Sequence, residues 1–176
     1  MKKTIIAASL TTAMTLFAAG ANASDGTISF KGSIDGSTCN ISINGANKDA
    51  TVNLPKISSN LLGAKNQVAG ATNFNLVLSN CSGDSESVLA FFEAGANVDS
   101  VSGNLNNNGT AKNVQVQLMD ADGKVLKVGD TSQSAGKTVA LVGGTATLTY
   151  AAQYFATDKV EAGDIDTSVT YSINYL

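Results

Sequence analysis

Histidine, arginine and tryptophan are absent from the 176 residues, proline occurs once and cysteine twice. Without histidine, neither a Ser-His-Asp triad nor a Cys-His nucleophile pair can be assembled. Without histidine and with two thiols, a four-ligand zinc site of the usual kind cannot be built either. The lack of arginine and a net charge of −3 leave no basic stripe for nucleic acid or an anionic membrane. Sugar recognition loses its usual aromatic platform with tryptophan. No cofactor and no metal is expected, and no enzymatic activity.

What remains in the way of carboxylates is sparse. Asp120 with Asp122, and Asp164 with Asp166, could in principle act as hydrolytic pairs. Both lie in glycine-containing turns, where solvated turn residues are the simpler reading. Neither has the Asp-x-Asp-x-Asp-Gly series and terminal Glu of a calcium loop.

The first residues read as a targeting segment. Lys2 and Lys3 precede an uncharged, mostly apolar run from Thr4 to Phe17, and Ala21-Asn22-Ala23 has the small-x-small pattern of a signal-peptidase site. The run is shorter than the roughly 20 residues a membrane span needs. Cleavage after Ala23 is therefore expected, with no direct membrane insertion. Losing Lys2 and Lys3 leaves nine lysines against 14 acidic residues, a net charge of −5. Residues 24–176 suffice for one domain. In an exported chain, Cys39 and Cys81 are expected to pair. The bridge would close a loop of about 43 residues, worth roughly 4 kcal/mol on the chain-entropy model; two free buried thiols are the rival reading.

Beyond the leader the pattern is β. Apolar residues alternate at Ile28, Phe30 and Ile34, at Phe74, Leu76 and Leu78, at Val114, Val116 and Leu118, and at Val169, Tyr171, Ile173 and Tyr175. Gly143-Gly144 predicts a tight hairpin between 138–142 and 145–150. Asp122-Gly123 predicts a turn between 114–119 and 124–128. Asn104–Gly109, nearly all asparagine, reads as a loop tip, and Pro55 as the end or edge of a strand. Residues 58–67 alone depart from the pattern: Leu61 and Leu62 behind Ser58 or Ser59 as N-cap predict a short helical turn. Short strands with such turns make a single β-sandwich. The four tyrosines fall in strand-like runs, where core packing is the default.

The two ends carry the most information. Gly26-Thr27-Ile28-Ser29-Phe30-Lys31-Gly32-Ser33-Ile34 follows the cleavage site directly, and the last alternating strand runs to Tyr175 and Leu176. Termini fray unless they are tied down, so patterned strands at both ends imply that both are used. Taken alone, 28–34 is most simply the first strand of a complete sandwich.

Those ends, the Cys39/Cys81 spacing, Leu54-Pro55-Lys56-Ile57, Asn80-Cys81 and Tyr154-Phe155-Ala156-Thr157 together resemble the type 1-like pilins of the chaperone–usher pathway across the whole mature chain. The resemblance implies an all-β fold: an incomplete immunoglobulin-like sandwich completed by a donor strand from a neighbouring subunit. It implies a signal peptide at 1–23, a donor-strand extension at 24–36 and a pilin domain at 37–176. Ile28, Phe30, Gly32 and Ile34 would form the donor face, with the glycine at a shallow part of the groove. Val169, Tyr171, Ile173, Tyr175 and Leu176 would border the groove and bind the chaperone before assembly.

The partners implied are further copies of the chain in a head-to-tail fibre, a periplasmic chaperone and an outer-membrane usher. The destination is the cell surface by way of the periplasm. The function expected is a shaft subunit supporting bacterial adhesion; a minor or adaptor subunit and a monomeric secreted binding module are the alternatives. Mass spectrometry of the exported protein should find a chain beginning at Ser24; a retained Met1 would sink the cleavage assignment.

Overall fold

Alternating apolar residues require two sheets that can share one interior, and the computed structural model supplies them. It describes Ser29, Phe30, Gly36 and residues 38–176. The chain divides into two units, Met1–Ser33 and Ile34–Leu176. The expected signal peptide, and Ile28, Gly32 and Ile34 of the expected donor face, lie outside the described residues.

Among its described residues the second unit contains eight strands: β1 (Thr38–Ile43), β2 (Val68–Ser82), β3 (Ser87–Phe92), β4 (Leu105–Asn106), β5 (Lys112–Asp120), β6 (Val139–Ala140), β7 (Ala146–Glu161) and β8 (Tyr171–Tyr175). One sheet has the order β1-β2-β7-β5-β4 and the other β6-β3-β8, with antiparallel pairing throughout. The predicted alternations provide the shared core. Phe74, Leu76 and Leu78 of β2, and Val116 and Leu118 of β5, are buried against Val88, Ala90 and Phe92 of β3. Phe92 meets Tyr150 edge-on at 5.0 Å between ring centroids and Phe74 at 6.4 Å, the arrangement aromatic quadrupoles favour. The Tyr150 hydroxyl accepts a bond from the Ala90 amide, so the phenol is buried without an orphaned oxygen.

Turn chemistry explains the register. Gly143 and Gly144 have φ of 58° and 72°, and Val142 and Thr145 exchange both backbone bonds. This is the two-residue hairpin expected from Gly-Gly, since both central residues need left-handed backbone. At Asp120–Lys124 the turn also forms, with the Asp120 carboxylate accepting from the Asp122 and Lys124 amides. Beyond it, however, 124–128 forms no strand: it makes the isolated bridge Met119↔Val125, and the Leu126 amide donates to the Leu118 carbonyl. The expected helical turn is the 3-10 helix Ser59–Leu62, with Ser58 accepting from the Asn60 amide.

Two expectations need correction. Pro55 ends no strand, because none is formed between β1 and β2; its carbonyl instead accepts from the Tyr154 hydroxyl. Asn104–Gly109 is not a loop tip. Asn104 is 2% exposed, and Leu105–Asn106 pair with β5. Amide side chains bond in series, Gln153 to Gln117, Gln117 to Asn104, Asn104 to Gln115 and Gln115 to Asn106. Asparagine is polar enough to read as surface, yet an amide is as easily satisfied by another amide as by water.

Phe92→Ala should lower the unfolding free energy by about 3–5 kcal/mol, the range for emptying a buried aromatic site. Urea unfolding followed by tyrosine fluorescence reads this directly; a midpoint equal to wild type would contradict the packing described.

Candidate assembly groove

Burial within the β6-β3-β8 sheet falls away towards one side. On β3 the inward residues Val88, Ala90 and Phe92 are 0%, 3% and 2% exposed. Their registered neighbours on β8 are Tyr175, Ile173 and Tyr171, and all three are only half-buried. They touch the same core as β3, so their orientation is inward. What differs is that β8 is an edge, and among the described residues no strand lies beyond it.

The backbone of β8 has the same asymmetry. Ser87 and Leu176 exchange both backbone bonds, and the Glu93 amide donates to the Thr170 carbonyl. In an antiparallel pair, bonded and non-bonded positions alternate. Asn174 and Ser172 therefore bond to β3 with Leu176 and Thr170. The N–H and C=O groups of Tyr171, Ile173 and Tyr175 face the open side. One row of residues thus presents both its apolar side chains and its free backbone groups to the same edge.

The other sheet has β1 at its edge, and the chain that follows β1 reaches the start of β8. Tyr171 donates its hydroxyl proton to the Lys48 carbonyl at 2.9 Å, joining the start of β8 to that stretch. Cys39, Ile41, Val52 and Leu54 are half-buried against the shared core. A cleft of about 720 Å³ opens beside Cys39, Ile41, Ala46, Lys48 and Asp49. The Cys39–Cys81 disulfide is formed, with S–S 2.05 Å and a sequence separation of 42. It fastens the start of β1 to the end of β2, and Thr38 and Ser82 share a hydroxyl bond beside it. The Cys81 amide in turn donates to Gly144, so the Gly-Gly hairpin anchors the same corner.

Of the residues expected at the groove, Tyr171, Ile173 and Tyr175 share the open edge. Val169 precedes β8 but is half-buried against the same core, and Leu176 is exposed while its backbone pairs with Ser87. Phe30, the described member of the expected donor face, is 92% exposed. The Tyr171–Lys48 contact had no signal in the sequence, because a tyrosine in an alternating strand reads as core.

Electrostatics at the groove are mild. Burial, and secondarily the negative charge of Asp49, raise the Tyr171 pKa from 10.0. The Asp120/Asp122 pair caps its own turn, and Lys137 reaches Asp122 at 3.4 Å. Among the described residues no three potential metal ligands cluster, and no helix is long and apolar enough to cross a membrane.

Because the folded protein holds the Tyr171 proton more tightly than the unfolded chain, its contribution is complete below pH 10 and is lost as pH rises through the raised value. Tyr171→Phe should cost about 0.5–1 kcal/mol, the low end for a solvent-accessible hydrogen bond, and should reduce the stability lost between pH 9 and 11. Alkaline unfolding of both proteins tests this; identical pH profiles would show the hydroxyl to be idle.

Comparison with known proteins places this architecture. Residues 28–176 match the family model for fimbrial proteins. The chain is 39% identical to the F17 fimbrial protein of Escherichia coli over 159 residues, covering 86% of this chain and 87% of that one. It is 40% identical over 163 residues to the major fimbrial subunit SMF-1 of Stenotrophomonas maltophilia (strain K279a), covering 88% and 95%. In fold it matches the P pilus rod subunit PapA with a TM-score of 0.60 at 20% identity, covering 78% of this chain and 99% of that one. A chain from a chaperone–usher pilus matches with a TM-score of 0.61, also at 20% identity, covering 87% and 96%. An all-β sandwich with an open edge at β8, a formed disulfide and relatives of this kind lead to one conclusion: the chain belongs to the fimbrial protein family and is a structural subunit of a fimbria.

Proposed function

We propose that the chain forms the shaft of a surface fimbria by donor-strand exchange, with 24–36 of one subunit entering the groove beside β8 of the next. The observation that carries the proposal is the loss of burial from β3 to β8, together with the backbone of Tyr171, Ile173 and Tyr175, which no strand pairs among the described residues. An extended segment laid against such an edge gains main-chain bonds and pockets for alternate side chains, a mode of recognition already established for pilins and their chaperones.

The donor segment suits that edge. No proline interrupts 24–43, so every backbone N–H from there can pair. Ile28, Phe30 and Ile34 share a parity, with Gly32 on the same face where the groove is shallow. Burying three such side chains at about 1.5–3 kcal/mol each contributes about 5–9 kcal/mol. Ladder bonds add about 0.5–1.5 kcal/mol apiece. Each subunit donates at one place and accepts at another. Such a head-to-tail contact leaves a free donor and a free groove at the fibre's ends and extends as an open filament.

Before exchange the same edge needs cover, since an exposed apolar strand edge invites uncontrolled pairing. A periplasmic chaperone strand occupies it, and an outer-membrane usher brings donor and acceptor together. Residues 1–23 direct export and are removed, and 37–176 form the pilin domain. The assignment to the shaft follows the major subunit and the rod subunit among the relatives.

Deleting 24–33 should leave a folded, chaperone-bound subunit that cannot fill a neighbour's groove, so electron microscopy of expressing cells should show no fibres. Fibres of normal length built from the truncated protein would refute the role given to the segment.

A further inference from the structure

β8 is too short for the strand it is asked to accept. Its five residues span about 17 Å, whereas Ile28–Ile34 extend about 23 Å and 24–36 about 43 Å, at 3.3–3.4 Å per residue. The chain before β8 makes up the difference. From Ile165 onward the pattern continues through Thr167, Val169, Tyr171, Ile173 and Tyr175, all half-buried, with exposed residues between them up to Ser172. This is the alternation of a strand, although 162–170 pairs with no strand among the described residues.

Asparagine side chains stand where a neighbouring strand would be. The Asn107 amide group makes four bonds to main chain: Nδ2 donates to the Ala111 and Asp164 carbonyls, and Oδ1 accepts from the Gly109 and Asp166 amides. Asn97 Nδ2 donates to the carbonyl and hydroxyl of Ser168. Asn108 links the two, donating from Nδ2 to Asn97 Oδ1 while its backbone amide donates to the Asp166 carbonyl. Thr110 accepts from the Asp164 amide, and the Ala111 amide donates to the Asp164 carbonyl.

The backbones are as close as this implies. A Cβ at Gly109 would strike the Asp164 carbonyl, and one at Gly163 the Ala111 amide. The bonds that reach this segment all engage Asp164, Asp166 or Ser168, and Thr170 continues the series to Glu93. The backbone of Ile165, Thr167 and Val169 therefore faces the same open side as that of Tyr171, Ile173 and Tyr175. Within this row, Thr167 Oγ1 is a buried side-chain oxygen without a hydrogen-bond partner among the described residues.

We infer that Asn97, Asn107 and Asn108 are positioning residues that hold 164–170 as a continuation of β8, so that the acceptor edge runs from Ile165 to Tyr175. The inference rests on the donor-strand reading and extends it: the asparagines touch no donor and act by keeping the acceptor backbone straight before the donor arrives. Asn107 is the central one, because it alone joins the 107–111 turn to both Asp164 and Asp166.

Two readouts on the full chain test it, hydrogen exchange of the purified protein and fibre counts on expressing cells. Asn107→Ala should speed exchange of the 164–175 amides at least tenfold while leaving β7 amides unchanged, and should cut fibre number by a similar factor. Asn107→Asp keeps both acceptor bonds but sets an oxygen against two carbonyls. Relative to wild type at the same pH, its faster exchange should partly recover as pH falls and the introduced carboxyl takes up a proton, a profile that simple loss of packing would not produce. Equal acceleration in β7 and in 164–175, or none in either, would overturn the inference. Phe30→Asp serves as the control for the underlying reading. If it abolishes fibres while Asn107→Ala leaves their number intact, the positioning role alone falls. If it too leaves fibres intact, donor exchange fails and the inference fails with it.

Discussion

A β-strand buried on one side and unpaired along one edge is an unfinished structure, and β8 organises this protein around that condition. Its inward side chains belong to the core, yet they stay half-exposed, and among the described residues no strand lies beyond them. Its outward backbone groups alternate between β3 and open space. In water such an edge tolerates solvent, but its apolar row does not gain the burial that Val88, Ala90 and Phe92 enjoy one strand away. The free energy that a complete sandwich would have gained within one chain is instead held back for association.

Much of the remaining architecture keeps that open edge in shape. An edge with no partner would tend to fray, and three devices oppose this. Antiparallel pairing to β3 fixes β8 along its length. The Tyr171–Lys48 bond ties its beginning to the chain that follows β1. The Cys39–Cys81 bridge holds β1, the edge strand of the other sheet, to β2. The asparagine bonds to Asp164, Asp166 and Ser168 extend the same control upstream. Strong sheet pairing elsewhere, above all between β2, β7 and β5, leaves these edges as the places where another chain can add.

Several features were legible in the residues alone. Strict alternation at Phe74–Leu78, Val114–Leu118 and Tyr171–Tyr175 identified strands and their inward faces, because side chains on a pleated strand have a period of two whatever surrounds them. Gly143-Gly144 gave the hairpin for an equally local reason, since few residues adopt two successive left-handed conformations. Asn104–Gly109 misled. The same amide groups that mark a turn can satisfy one another in the interior, and no local pattern distinguishes the two. The roles of Asn97 and Asn107 had no signal for a related cause: their partners in the 164–168 segment lie 57 to 71 residues away in the chain.

The amino-acid sequence by itself determined which residues alternate, where the chain turns and which chemistries are impossible, since these depend on side-chain type and nearest neighbours. It also carried the resemblance from which an unfinished sandwich was expected. Tertiary structure decided which strand is left at an edge, which face of that strand the core reaches, and which distant side chains hold it there. These depend on sheet order and on contacts between segments far apart in the chain. The open edge at β8 is such a property, because a strand is unpaired only with respect to the strands around it.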